Sequence, residues 1–218
     1  MADNENMAVI SNDLFGRLDI YASSDEITAE NVVSELNTAL PYHVKNLLEE
    51  DFLYWYRRNV QPILNRQKEV RPEILNIVQE NHAEEIVAFK NGYFLTQPAF
   101  YTARREGVQD KVDKLNEFLY RSYKQVADDK VVNWFHTVGK GVLYVEPDRD
   151  NDPDTPIHCY ALDPRSAFVV YSLRPGNEPV MGVNMVVSDG IAKFDVFTKD
   201  SVYHLTGGAT GRLMTAQV

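Results

Sequence analysis

Three aspartates at alternating positions, Asp148, Asp150 and Asp152, come nearest to a recognisable chemical motif. Alternating carboxylates open a calcium-binding loop because their oxygens converge on one hard cation. Here Pro153 stands where the turn glycine belongs, and Cys159 where a bidentate Glu closes the site. The segment therefore reads as a solvated hairpin tip, with no metal site. His158 and Cys159 could suggest a base and its nucleophile, but consecutive side chains on a strand point to opposite faces. Cys159 is better read as a small core residue. His82 and Glu85 stand three apart on an expected helix, yet a catalytic zinc needs further ligands and none follows at a matching offset. Gly139-Lys140-Gly141 lacks the upstream glycine and the following Ser or Thr of a phosphate loop. No catalytic, cofactor-binding or metal-binding residue emerges, and the chain reads as a non-enzyme.

Two further groups bear on nucleic acid. Arg57, Arg58, Arg66, Lys68 and Arg71 face only one acid, Glu69, and could touch phosphate. A solvated loop or a subunit-interface patch is the better reading of them. Tyr54, Trp55 and Tyr56 fit a core or an interface more readily than a base-stacking platform. The net charge is −10, and residues 1–56 hold most of it, with eleven acids against Arg17 and Lys45. Such a region repels a polyanion, so direct DNA binding should be weak.

Length and composition bound the rest. A chain of 218 residues, 44% hydrophobic and 25% charged, is long enough for one large domain or two small ones with a real core. No apolar run approaches the ~18–20 residues that cross a bilayer, so no membrane partner is expected. Met1 to Ile10 is polar and acidic, unlike a secretory leader. A single cysteine allows no internal disulfide, which suits a reducing compartment or indifference to redox.

The elements that would position these residues fall into two halves. Residues 1–23 read as a mobile acidic N-terminus. Thr28 is a plausible cap for a helix carrying Val32, Val33, Leu36 and Leu40. Pro41 opens a second helix whose apolar face is Val44, Leu47, Leu48, Phe52, Trp55 and Tyr56. Residues 57–72 read as a loop with a short strand or turn. A helix is expected from Ile74 to Asn91, with Ile77, Val78, Ile86, Val87 and Phe89 toward the core and Asn91-Gly92 ending it. Val112, Leu115, Phe118, Leu119 and Tyr123 mark another, which continues or restarts through Val131, Val132, Trp134 and Phe135 before Gly139. From Gly141 the period changes to that of strands: Gly141–Glu146, Ile157–Leu162, Ala167–Tyr171, Val180–Val187, Ile191–Phe197 and Ser201–Leu205. Asp189-Gly190 is a type I′ hairpin signal. Helices first and an antiparallel meander second predict an α+β fold.

Several segments, in order, resemble the portal proteins of long-tailed bacteriophages. Tyr56-Arg57-Arg58-Asn59-Val60-Gln61-Pro62-Ile63 is similar to the family's aromatic helix end, turn glycine and Gln-x-Ile stretch, with Asn59 at the glycine position. Asn76 and Asn81 precede Ile86-Val87 as the family's paired asparagines precede an Ile-Val helix. Gly92 to Pro98 resembles its Gly-Tyr-x-x-Gly-x-Pro motif, with Thr96 in place of the second glycine. Gly139 to Val145, Leu162-Asp163-Pro164 and Val170-Tyr171 resemble its Gly-Lys-aromatic strand and the segment after it. The resemblance implies a structural subunit of a homo-oligomeric ring at a capsid vertex. Such rings serve DNA packaging and ejection and head–tail connection, with terminase, scaffolding and head-completion proteins as partners. It also implies residence in the virion, and in the host cytoplasm during assembly. Residues 24–140 would be the mainly helical part of the wing and 141–218 its β part, truncated before stem, clip and crown. DNA would pass through the full-length ring. The alternative is a generic α+β interaction module of another virion head or adaptor protein.

Overall fold

The computed structural model describes residues 18–66, 69–74, 76–148 and 157–207, and the backbone of 213–217. The elements run β1 (Ile20–Tyr21), α1 (Val32–Arg57), a 3-10 turn (Pro62–Asn65), α2 (His82–Phe94), α3 (Gln109–Arg121) and α4 (Lys124–Val138). Seven strands follow: β2 (Val142–Pro147), β3 (Ile157–Leu162), β4 (Ala167–Tyr171), β5 (Pro179–Ser188), β6 (Ile191–Phe197), β7 (Val202–Gly207) and β8 (Leu213–Gln217). Four helices followed by antiparallel strands make the fold α+β, as the change of period predicts. The chain divides into two compact units, residues 1–52 with 164–218, and residues 53–163.

The first unit is a six-stranded sheet in the order β1-β4-β5-β6-β7-β8, packed on the N-terminal part of α1. Its register explains its core, because residues opposite one another across strands share a face. Phe168, Val183, Val196 and Tyr203 form one such row, and Met185, Phe194 and Leu205 another. Asp189 and Gly190 join β5 to β6 with φ of 54° and 75°, the positive pair that a type I′ turn requires. The segment 1–23, read as mobile, contributes a strand: Ile20 pairs with Val170 and Tyr21 with Tyr171 in parallel. A two-residue strand has too few positions to show a period, so only its partner reveals it.

Helix α1 differs from its sequence reading in three ways. Thr28 starts the turn before it with its backbone carbonyl, which accepts from Asn31 and Val32, and not with its side chain. Pro41 lies inside one continuous helix instead of opening a second. The hydrogen bond that proline removes would have ended on the carbonyl of Asn37; both residues are exposed, so water can take its place. Finally, the buried face is Val32, Glu35, Leu36, Ala39, His43, Asn46 and Glu50, whereas Val44, Leu48, Trp55 and Tyr56 are exposed. For Glu35, Asn46 and His43 Nε2 the reason is polar satisfaction. Glu35 accepts from Ser23 N and Ser24 Oγ, both at 2.8 Å. Asn46 holds Leu18 by both its N–H and its carbonyl at 2.9 Å. His43 stacks on Phe168 with centroids 4.2 Å apart, and its Nε2 donates to the Arg165 carbonyl. Buried polar groups with partners cost little, and these partners hold the chain entering β1 and β4.

In the second unit α4 is central, packed against α2, α3, β2 and β3. β2 and β3 pair only with each other, from Val142↔Leu162 to Pro147↔Ile157, apart from the longer sheet. α3 and α4 are separate helices, broken at Tyr123 with φ of 52°. Helix α2 begins at His82, eight residues later than the apolar pattern from Ile74 suggested, and runs past Asn91-Gly92 to Phe94. Asn81 sets its start, since its side chain accepts from Glu84 N. Of the residues assigned to its core, Val87 is buried, while Ile77, Val78, Ile86 and Phe89 are exposed.

Candidate functional site

Among the described residues, those with chemical potential pair locally and do not gather into one cluster. Asp150 and Asp152 lie outside the described residues, and Asp148 pairs with His158 Nε2 at 2.7 Å. His158 lies against Tyr160, ring centroids 6.2 Å apart, on the face opposite Cys159. Burial pushes the Cys159 thiol pKa up, against the attraction of Lys124, so it packs as a small apolar group and does not form a ready thiolate. His82 is exposed between Glu85 and Glu80, at 3.0 and 2.8 Å, and hydrogen bonds to both carboxylates raise its pKa. Gly139 closes α4 and Gly141 lies against α4, so this glycine pair is a packing device. A Cβ on Gly141 would sit 2.7 Å from the Val131 carbonyl oxygen, closer than any side chain tolerates.

What the second unit does bring together is a polar node around Arg57, the last residue of α1. Its Nε donates to Glu84 Oε2 at 2.6 Å and its Nη2 to Glu84 Oε1 at 3.2 Å, a fork on one carboxylate. Its Nη1 donates to Asn133 Oδ1 at 2.7 Å and to Thr137 Oγ1. Asn81 Nδ2 donates to the Arg57 carbonyl at 2.9 Å, so one asparagine caps α2 and ties it to the end of α1. Asn91 Nδ2 donates to Asn133 Oδ1 at 2.8 Å, and His136 Nδ1 donates to Asn91 Oδ1 at 2.7 Å. Partial burial lowers the His136 pKa, helped by Lys90, which favours the neutral ring. The Arg57 hydrogen bond, opposed by desolvation and aided by the charges of Arg57 and Arg58, holds the Glu84 carboxyl below its usual range.

The residues just past α1 explain why the node forms there. Asn59 takes φ of 69°, with Val60 N on the Trp55 carbonyl and Asn59 N on the Tyr56 carbonyl. This is the Schellman arrangement, and asparagine fills the left-handed position that glycine usually takes. The turned-back chain is then held by Gln61 Nε2 on the Glu80 carbonyl at 2.9 Å and by Gln79 Nε2 on the Asn59 carbonyl. Sequence reasoning missed Arg57, Asn133 and Thr137 as a group. Their types are ordinary, and the one signal was the pair of asparagines ahead of the Ile-Val helix.

Beside the node lies a cavity of about 630 Å³ lined by Tyr54, Arg57, Arg58, Lys130, Asn133 and Trp134 among others. Tyr54 and Trp134 stack with centroids 5.6 Å apart, and the Arg58 guanidinium lies 5.4 Å over Tyr54. Elsewhere on the unit large apolar side chains face outward, Phe89 at 73% and Tyr93 at 81% exposure, with their rings stacked on one face of α2. Among the described residues this geometry braces helix ends and leaves apolar surface uncovered.

No curated protein matches the chain. A family model described as phage portal protein, SPP1 Gp6-like, matches residues 43–212, well over half of its length. The match spans α1 from His43 onward, the Arg57 node, the exposed aromatic face and the sheet through β7. The chain belongs to the SPP1 Gp6-like family of phage portal proteins, structural components of the phage virion.

Proposed function

We propose that this protein is a subunit of the portal ring at a capsid vertex, serving DNA packaging, DNA ejection and head–tail connection. The family match over residues 43–212 carries the reading. The outward aromatic surface of the second unit supports it, because contiguous apolar patches on a soluble chain mark contact surfaces. A closed ring needs two different, complementary faces on each subunit, and the Phe89–Tyr93 face of α2 is assigned to one of them. In this reading residues 24–140 and 141–218 are the helical and β parts of the wing. Terminase, scaffolding and head-completion proteins dock on the assembled ring. The protein works in the host cytoplasm during assembly and in the virion afterwards. Sedimentation velocity with negative-stain electron microscopy of the purified chain tests the proposal. Closed rings of one stoichiometry are expected; open filaments, a twofold dimer, or monomers at every concentration reached would sink it.

A further inference from the structure

We infer that the cavity beside Arg57 is a receptor for an acidic peptide, and that its occupant is the acidic β2–β3 loop of a second copy of this chain. The inference rests on the ring reading only for its setting; the recognition chemistry stands by itself. Arg57 is already spent on Glu84, Asn133 and Thr137. Arg58 and Lys130 are exposed, and among the described residues neither forms an ion pair. With Glu84 neutralised by Arg57, two cations remain to attract an anion at a wall made of the Tyr54–Trp134 stack. Arg58 is held in place, since its Nη1 donates to Tyr54 Oη at 2.8 Å while its plane lies over the ring. A fixed guanidinium beside an aromatic wall suits a carboxylate on a short peptide.

A nucleic acid is disfavoured by what surrounds the cavity. Duplex or single-stranded polymers need a basic track several phosphates long. Here Glu80 just before α2, Glu85 on α2, and Asp128 and Asp129 on α4 interrupt any such track. The chain itself carries a complementary segment. From Glu146 to Pro156 it holds Glu146, Asp148, Asp150, Asp152 and Asp154 against Arg149 alone. Pro147 pairs with Ile157, so this acidic segment joins the ends of two paired strands. A loop on one copy and a cavity on the next make a heterologous contact of the kind that closes rings.

The test uses a labelled peptide of residues 146–156 and the whole chain carrying Asp150→Asn, Asp152→Asn and Asp154→Asn, so that its own loop does not compete. Fluorescence anisotropy should show saturable binding that weakens on the order of tenfold or more when Arg58→Glu and Lys130→Glu are added. Lys111→Glu with Lys114→Glu on α3 should leave it unchanged, and the milder Arg58→Gln with Lys130→Gln should weaken it with an unaltered circular dichroism spectrum. In the second arm, charge-reversed cavity chains (Arg58→Glu, Lys130→Glu) are mixed with charge-reversed loop chains (Asp150→Lys, Asp152→Lys). Association lost by each alone and restored in the mixture supports the pairing between copies. Rings that form regardless, together with no peptide binding, would overturn the inference and leave the ring reading intact. Peptide binding without rings would support the inference and count against that reading. Binding of a short oligonucleotide with the same Arg58 and Lys130 dependence, and none of the peptide, would also overturn it.

Discussion

The two units of this chain solve the same problem in opposite ways. In the unit of residues 1–52 and 164–218, fourteen buried apolar residues from α1, five strands and the segment between β1 and α1 form one cluster. In the unit of residues 53–163, the described buried apolar residues are Val87, Ala127, Val138 and Cys159. Aromatics such as Phe89, Tyr93, Phe100, Tyr120 and Tyr123 face outward there, and helix ends are joined by side-chain hydrogen bonds around Arg57. The first unit is built to be stable by burial, the general driving force for a small domain. The second is held by a polar node and keeps its apolar surface for contacts outside itself. The ring reading proposed above calls for both, a rigid body and a face left for contacts with other subunits.

The sharpest way to break this comparison is to damage each unit at its own support. Leu36 is fully buried in the first core, so Leu36→Ala should lower stability by about 2–5 kcal/mol through lost transfer energy and a residual cavity. Chemical denaturation followed by circular dichroism would measure it. A loss no larger than that of a surface variant would show that the cluster is not what holds the unit. In the second unit Arg57→Met removes the fork to Glu84 and the donors to Asn133 and Thr137. We expect a loss of about 1.5–3 kcal/mol, the range for hydrogen bonds to charged groups. If that variant unfolds with an unchanged midpoint, the polar node is ornamental and the contrast fails.

Smaller effects sharpen the picture. Gly190→Val forces a β-branched residue to φ of 75° at the β5–β6 turn, and should cost about 1 kcal/mol or more through backbone strain. Asp189→Asn, which tolerates the same conformation, should cost less, and equal midpoints for both would argue against the turn as a determinant of register. Glu84 has its folded pKa lowered, so its contribution is present above its unfolded value and fades as pH falls through the folded one. Stability curves of wild type and Glu84→Gln should therefore differ near neutrality and converge in acid, and a gap that persists or widens there would refute the linkage. The smallest effect on folding is expected at the outward face. Phe89→Ser should change the stability of the dissociated chain by no more than about 0.5 kcal/mol, while shifting its sedimentation toward smaller species. A clear drop in folding stability would mean that Phe89 serves the unit's own core.

Local chemistry made part of this protein legible. The strands Ile157–Leu162, Ala167–Tyr171 and Ile191–Phe197 and the Asp189-Gly190 turn could all be read from neighbouring residues. Each depends on alternation or on a φ preference that a few residues carry by themselves. Tertiary structure alone decided which face of α1 is buried. An apolar stripe through Val44 and Leu48 pointed one way, yet Asn46 finds Leu18 across 28 residues and His43 finds the Arg165 carbonyl across 122. The same holds for the two-residue strand at Ile20, which exists only because β4 lies beside it, and for Arg57, whose partners Glu84, Asn133 and Thr137 come from two other helices. A periodicity argument sees how apolar residues are spaced. It cannot see a distant partner that makes burying a polar group inexpensive, and in this chain that partner set the orientation of the longest helix.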